Sequence, residues 1–170
     1  MLNELISQSE ALVFFTGAGI STNSGIPDFR GPKGIWKTSQ PIYFQDFVNS
    51  EEKRKESWER KFSNELNINK AKPNPGHQKI AEIMKKKGLS HLITQNVDNL
   101  HQDSGVGDDR ITELHGNATY AKCLDCQLRY DLAELKESFQ RTKQPPQCSE
   151  CNGLIKTATI SFGQAMPEEE

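Results

Sequence analysis

One hundred and seventy residues and 19.2 kDa leave room for one domain, or one domain carrying a small inserted module. A composition 34% hydrophobic and 26% charged allows only a lean core, and a mean hydropathy of −0.71 with no long apolar run excludes a membrane-spanning helix. Twenty-one basic against 23 acidic residues give a net charge of −2, too weak a field to attract nucleic acid or a membrane surface, so neither is expected as a partner.

Met1-Leu2-Asn3-Glu4 lacks the basic start of a secretory leader, which makes a cytoplasmic setting the expectation. The stretch from Glu4 to Glu10 has helical character. Ala11-Leu12-Val13-Phe14-Phe15 is a continuous apolar run of the kind that forms a buried parallel strand. The glycine-rich turn Thr16-Gly17-Ala18-Gly19-Ile20-Ser21 follows at once. Residues 38–72 read as a helical insert in which Trp58 and Phe62, four apart, pack from one face. Pro73-Asn74-Pro75-Gly76 breaks the chain, and His77 to Lys87 fits an amphipathic helix with Ile80, Ile83 and Met84 inward and Gly88 as its cap. Further strands are expected at Ser90–Thr94, Arg110–Leu114 and Lys156–Phe162. Strands alternating with helices predict an α/β fold with a mostly parallel, doubly wound, Rossmann-like sheet. The predicted division is 1–117 with 156–170 for that sheet and 118–155 for a separate small module.

That module carries all four cysteines. Cys123 and Cys126, then 21 residues, then Cys148 and Cys151 form two C-x2-C knuckles. Two such turns can bring four thiolates to one tetrahedral Zn²⁺, a closed and therefore structural site. Two disulfides, or four free thiols, are the alternatives. The absence of a secretory leader favours zinc.

Gly17 and Gly19 would let backbone amides approach a pyrophosphate, but the dinucleotide fingerprint is incomplete. Thr22 stands at its third glycine, and Gly34-Ile35-Trp36-Lys37 where a ribose-binding acid is due, which argues against a hydride-transfer dehydrogenase. The following Gly25-Ile26-Pro27-Asp28-Phe29-Arg30-Gly31 sets a carboxylate, an aromatic and a guanidinium beside the same turn.

With Thr94-Gln95-Asn96-Val97-Asp98-Asn99-Leu100-His101, His115-Gly116, the four cysteines and Ser161-Phe162-Gly163, these strings resemble the sirtuins, NAD-dependent protein deacylases, from about Ala11 to Pro167. The resemblance implies that Gly17, Ala18, Gly19, Thr22 and Arg30 meet the ADP-ribose phosphates and that Phe29 covers the nicotinamide ribose. It places Gln95 on ribose hydroxyls and Asn96, Asp98, Ile26 and Val97 around the nicotinamide. Ser21 and Asp28 are further candidates there; each could instead bond its own loop. His115 is implied as general base, a role suited to an imidazole that titrates near neutrality. His77 and His101 read as structural.

The chemistry implied is attack of an acyl-lysine oxygen on the ribose carbon as nicotinamide leaves, giving an alkylimidate, then attack on it by a ribose hydroxyl that His115 activates, and hydrolysis by water to free lysine and O-acetyl-ADP-ribose. Phe162-Gly163 would pair backbone to backbone with an acetylated protein or peptide. Two departures stand out: Gln164 replaces the family's usual glutamate, and only Glu168-Glu169-Glu170 follow Pro167 where sirtuins carry further βα units. The chain is therefore expected to be a fragment of a longer protein, with part of the adenosine site outside it and, alone, marginal stability and little activity. Ser57-Trp58-Glu59-Arg60-Lys61 lacks the tyrosine of the Tyr-x-x-Arg pair that selects acidic acyl groups, so an uncharged acyl-lysine is expected. Mono-ADP-ribosyl transfer and an inactive zinc-bearing binding module are the competing readings.

Overall fold

Among the described residues, tertiary hydrogen bonding sorts the strands into two three-stranded sheets, one parallel and one antiparallel. The computed structural model describes residues 2–29, 31, 34–37, 39–63 and 68–166. Helix α1 (Leu2–Gln8) leads into β1 (Ala11–Thr16), which pairs in parallel with β2 (Leu89–Thr94), Ala11 opposite Leu89 and Thr16 opposite Thr94. Strand β3 (Ile111–Glu113) pairs on the other side of β2, giving the order β1-β2-β3.

The segment between β1 and β2 is helical, as its spacing predicts. Ala18–Ser24 forms a tight 3-10 turn, followed by α2 (Phe44–Asn49), α3 (Glu51–Phe62) and α4 (Pro75–Lys86). Ser50 ends α2 and caps α3, its hydroxyl accepting the Lys53 amide at 3.2 Å. Asn74 caps α4 ahead of Pro75, which needs no partner at the first helical position. Met84 on α4 is buried against Leu92 and Val106, with Phe14 and Ile80 packed around them. The expected Gly88 cap is not formed: Lys87 ends the helix in an extended conformation, because the chain turns directly into β2.

Strand β1 is buried on one face only. Val13 is 69% and Phe15 61% exposed, because among the described residues the helices cover just the Phe14 side of the sheet.

After α5 (Leu100–Asp103) and β3, β4 (Gly116–Cys123) starts the second sheet, joined by β5 (Arg129–Asp131), α6 (Leu132–Thr142) and β6 (Ile155–Thr159). Its order is β5-β4-β6 and both pairings are antiparallel. The strand expected as the fourth of the parallel sheet therefore belongs to the antiparallel sheet, where β6 finds its hydrogen-bonding partner in β4. Gly116 makes the close approach possible: its φ is +68°, and a Cβ there would lie 2.1 Å from the Ala158 carbonyl oxygen.

The insert closes over this sheet. Trp58 is buried with Ala121, Cys123, Leu135, Phe139, Cys148 and Ile155, and stacks on Phe62 at 5.3 Å, which in turn meets Phe139 at 5.7 Å. The two aromatics are packing residues, as their spacing implies. No helix among the described residues is long and apolar enough to cross a membrane.

Candidate functional site

A cleft of about 890 Å³ opens where the carboxyl ends of β1 and β2 meet β6 and the helical insert, the edge at which α/β sheets hold ligands. Of the residues singled out in the sequence, Ala18, Asp28, Phe29, Gln95, Asn96, Val97 and His115 line it. Gly17 and Gly19 lie in the turn at its edge, and Thr22 is exposed, its hydroxyl spent on the Gly19 carbonyl at 2.9 Å. Ile26 is buried behind the cleft with Ile68, Leu100 and Ala118. Arg30 lies outside the described residues.

The loop after β2 is held from four sides. The Gln95 amide donates to Thr16 O at 3.0 Å, the Asn96 amide to Thr94 Oγ1 at 3.0 Å, and Ala118 N to Val97 O at 2.8 Å. Asp98 Oδ1 accepts the Leu100 amide at 3.0 Å. Asn99 adopts a left-handed conformation with φ +66°, and buried Asn117 reaches it with a 2.8 Å bond to Asn99 Oδ1 while also donating to Glu113 at 2.9 Å. Asn117 was not singled out from the sequence. It directly follows His115-Gly116, but its partner Asn99 comes from the loop after β2, 18 residues back.

Beneath the cleft floor lies a buried polar network. Ser21 Oγ donates to Asp98 Oδ2 at 2.6 Å and accepts from Asn96 Nδ2 at 3.1 Å. With its proton committed to Asp98, Ser21 can only accept from His77 Nε2 at 3.4 Å, while His77 Nδ1 accepts the Asn74 amide at 3.3 Å. His77 is thereby a neutral Nε2–H tautomer, and burial holds its pKa below the ordinary range against the pull of Asp98. His101 donates from Nε2 to Thr16 Oγ1 at 2.9 Å, since that hydroxyl gives its own proton to Thr94 Oγ1. Burial first, then neighbouring His77, pushes the pKa of His101 down to about 4. Both histidines are structural in the sense that neither lines the cleft, yet both support the residues that do.

His115 stands apart from them. Its Nδ1 lies 3.0 Å from the Gln95 carbonyl oxygen, to which it donates, and this leaves Nε2 with a free lone pair beside the cleft. Its own carbonyl accepts the Ile160 amide at 2.8 Å. Asp28, by contrast, uses its carboxylate to accept the Gly31 amide at 3.0 Å, the turn-capping alternative open to it.

The far wall is built from β6 and its extension. Thr157, Thr159, Phe162, Gly163 and Gln164 line the cleft. The Phe162 carbonyl accepts the Phe44 amide at 2.9 Å and its ring lies 5.9 Å from that of Tyr43, so the helical insert anchors this edge. Gln164 Oε1 accepts the Ser161 amide at 3.1 Å, an acceptor role that glutamine shares with the glutamate it replaces. Buried Lys156, its pKa lowered to about 8 by desolvation, bonds the carbonyls of Thr157 and Thr159 and braces the strand.

The four cysteine sulfurs lie within 4.8 Å of one another, with Cys123 to Cys151 and Cys126 to Cys148 both at 3.5 Å. A tetrahedron with Zn–S bonds of about 2.3 Å has edges of roughly 3.8 Å, so the cluster has the dimensions of a four-thiolate zinc site. Gly153 allows this closure; a Cβ there would sit 2.9 Å from Cys123 Sγ. The four cysteines are free thiols, which removes the two-disulfide alternative.

Comparison with known proteins matches this arrangement. The Sir2 family model aligns with residues 17–170. An NAD-dependent protein deacetylase of Rhodopseudomonas palustris is 48% identical over 168 residues, and an NAD-dependent protein deacetylase 1 of Bradyrhizobium diazoefficiens is 48% identical over 169. Each alignment covers 99% of this chain and 66% of the relative, so the chain spans just under two thirds of the length of these curated relatives. A solved Sir2 complex with a p53 peptide and NAD⁺ superposes with a TM-score of 0.80 at 36% identity, covering 99% of this chain and 66% of that one. A cleft floored by the Ser21–Asp98 network, a four-thiolate cluster on the second sheet and matching motifs along nearly the whole chain have one explanation: this chain belongs to the Sir2 family.

Proposed function

We propose that the protein of which this chain is part removes acetyl groups from protein lysines in an NAD-dependent reaction. The observation that carries this reading is the convergence of Phe29, Gln95, Asn96 and His115 on one cleft above the Ser21–Asp98 pair. These residues fit the cofactor's nicotinamide half: a ring over the site, two amide side chains for polar groups, and a base with its lone pair free.

Bound NAD would supply an electrophilic ribose carbon with nicotinamide as its leaving group. Asn96, which lines the cleft, is held by Ser21, itself fixed by Asp98 from below, and so can orient a carboxamide without a reorganisation cost. Phe29 excludes water from the reacting face. His115 Nε2 takes the proton of a ribose hydroxyl, and the Gln95 carbonyl steadies the imidazolium through Nδ1–H. Phe162 and Gly163 line the far wall of the cleft, where an extended, acylated peptide would lie. The names of the relatives, deacetylases of protein, support such a substrate.

Cys123, Cys126, Cys148 and Cys151 would hold one zinc ion whose four thiolates leave no open position, so the metal's contribution is structural. Four thiols kept for a metal also support a reducing compartment, the cytoplasm.

The test is mass spectrometry of the protein at its full natural length with NAD and an acetyl-lysine peptide. Deacetylated peptide with stoichiometric O-acetyl-ADP-ribose is expected. ADP-ribose retained on protein would instead favour mono-ADP-ribosyl transfer, and no turnover of NAD would favour a binding module.

A further inference from the structure

Tyr130 sits at the middle of β5, opposite Ala121 of β4, four residues past Cys126 of the first knuckle. Its ring packs against the cluster that holds Trp58, Cys123 and Cys148. Its hydroxyl does not end in solvent. It donates to Cys148 Sγ at 3.0 Å and accepts the Ser149 backbone amide at 3.0 Å, with Ser149 Oγ a further 3.2 Å neighbour. One oxygen on the first knuckle's return strand thus grips both the sulfur and the backbone of the second.

Apart from one bond made by Leu124 N, the other backbone bonds of these turns are local. Cys148 N donates to Gly153 O at 2.9 Å and Asn152 N to Cys148 O at 2.9 Å, both inside the second knuckle. Cys123 N donates to Leu128 O at 2.9 Å inside the first. Leu124 N reaches Leu154 O at 2.9 Å beside the cluster. Tyr130 supplies a cross-link between knuckles that ends on a ligand atom.

Four thiolates around a divalent ion carry a net charge of −2, and donors to sulfur are what make that charge tolerable away from water. We propose that Tyr130 is an outer-shell positioning residue that stabilises the Cys148 thiolate and fixes its direction, and so sets how tightly the centre retains its metal. This rests on the zinc assignment above. Loss of the hydroxyl leaves the ring in the core but strips the sulfur of its donor and the Ser149 amide of its acceptor.

Tyr130→Phe isolates that hydroxyl, and Tyr120→Phe, on the neighbouring strand against the Arg129 guanidinium, is the control. Zinc affinity is read by competition with a chromogenic chelator, and the site's electronics by the thiolate-to-cobalt charge-transfer band of the Co²⁺-loaded protein. Tyr130→Phe is expected to weaken zinc about 10- to 100-fold, the usual cost of a lost outer-shell partner, while Tyr120→Phe leaves it unchanged. The cobalt band of Tyr130→Phe should move to lower energy, because a sulfur without its donor gives up charge more readily; a purely packing role would not shift it. Affinity within twofold of the parent with an unmoved band would overturn the proposal. If the parent protein itself takes up neither zinc nor cobalt, it is the metal assignment that falls.

Discussion

His115 Nδ1 and the Gln95 carbonyl oxygen lie 3.0 Å apart, and that bond decides which nitrogen of the imidazole faces the cleft. A backbone carbonyl can only accept, so Nδ1 keeps the proton and Nε2 is the nitrogen that the proposed mechanism uses as base. His115→Ala is expected to lower deacetylation by about 100- to 10,000-fold, the usual share of a general base. NAD binding should barely change, since the proposed reading gives the ribose hydroxyls another partner, Gln95. Calorimetric titration alongside turnover checks the split; undiminished turnover would remove His115 from the mechanism.

The buried histidines give the protein an acid sensitivity. An unfolded histidine titrates near 6.5, whereas His101 in the fold is lowered to about 4. Between those values the unfolded chain binds a proton that the folded chain refuses, so stability is full above pH 6.5 and falls as pH drops toward 4. His77 is displaced in the same direction. For His101 the loss amounts to at most about 3 kcal/mol. Melting temperatures of the parent and His101→Gln from pH 7 to 4 are the check: the variant's curve should be flatter through that window.

Metal removal should unfold the second sheet before the first. The sulfurs sit in turns that close β4, β5 and β6, and structural zinc contributes on the order of 10 kcal/mol to small modules. Cys123→Ala, or a strong chelator, is expected to abolish metal content and lower the melting temperature sharply. An unchanged melt in metal-free protein would contradict the assignment.

Trp58 ties the helical insert to that same sheet. Its indole is buried against Cys123, Leu135 and Phe139. Trp58→Ala should cost about 3–5 kcal/mol in denaturant unfolding, the range for emptying a large aromatic site. A loss below about 1 kcal/mol would mean that the insert is anchored elsewhere, through contacts such as Lys61 on the Ala118 carbonyl and the Phe44 amide on the Phe162 carbonyl.

What the sequence determined by itself is local. The apolar run of β1, the period of α4, the Trp58–Phe62 spacing on α3 and the two C-x2-C knuckles each follow from neighbours in the chain, and each forms where expected. Only the tertiary structure decided the pairings across long separations. Ser21 meets Asp98 at a distance of 77 residues, Thr16 meets His101 at 85, and β6 joins β4 rather than the parallel sheet. Periodicity states which face of an element is apolar; it does not state which strand will offer the matching row of amides and carbonyls. For the same reason Tyr130, an ordinary strand tyrosine in the sequence, ends on a cysteine sulfur.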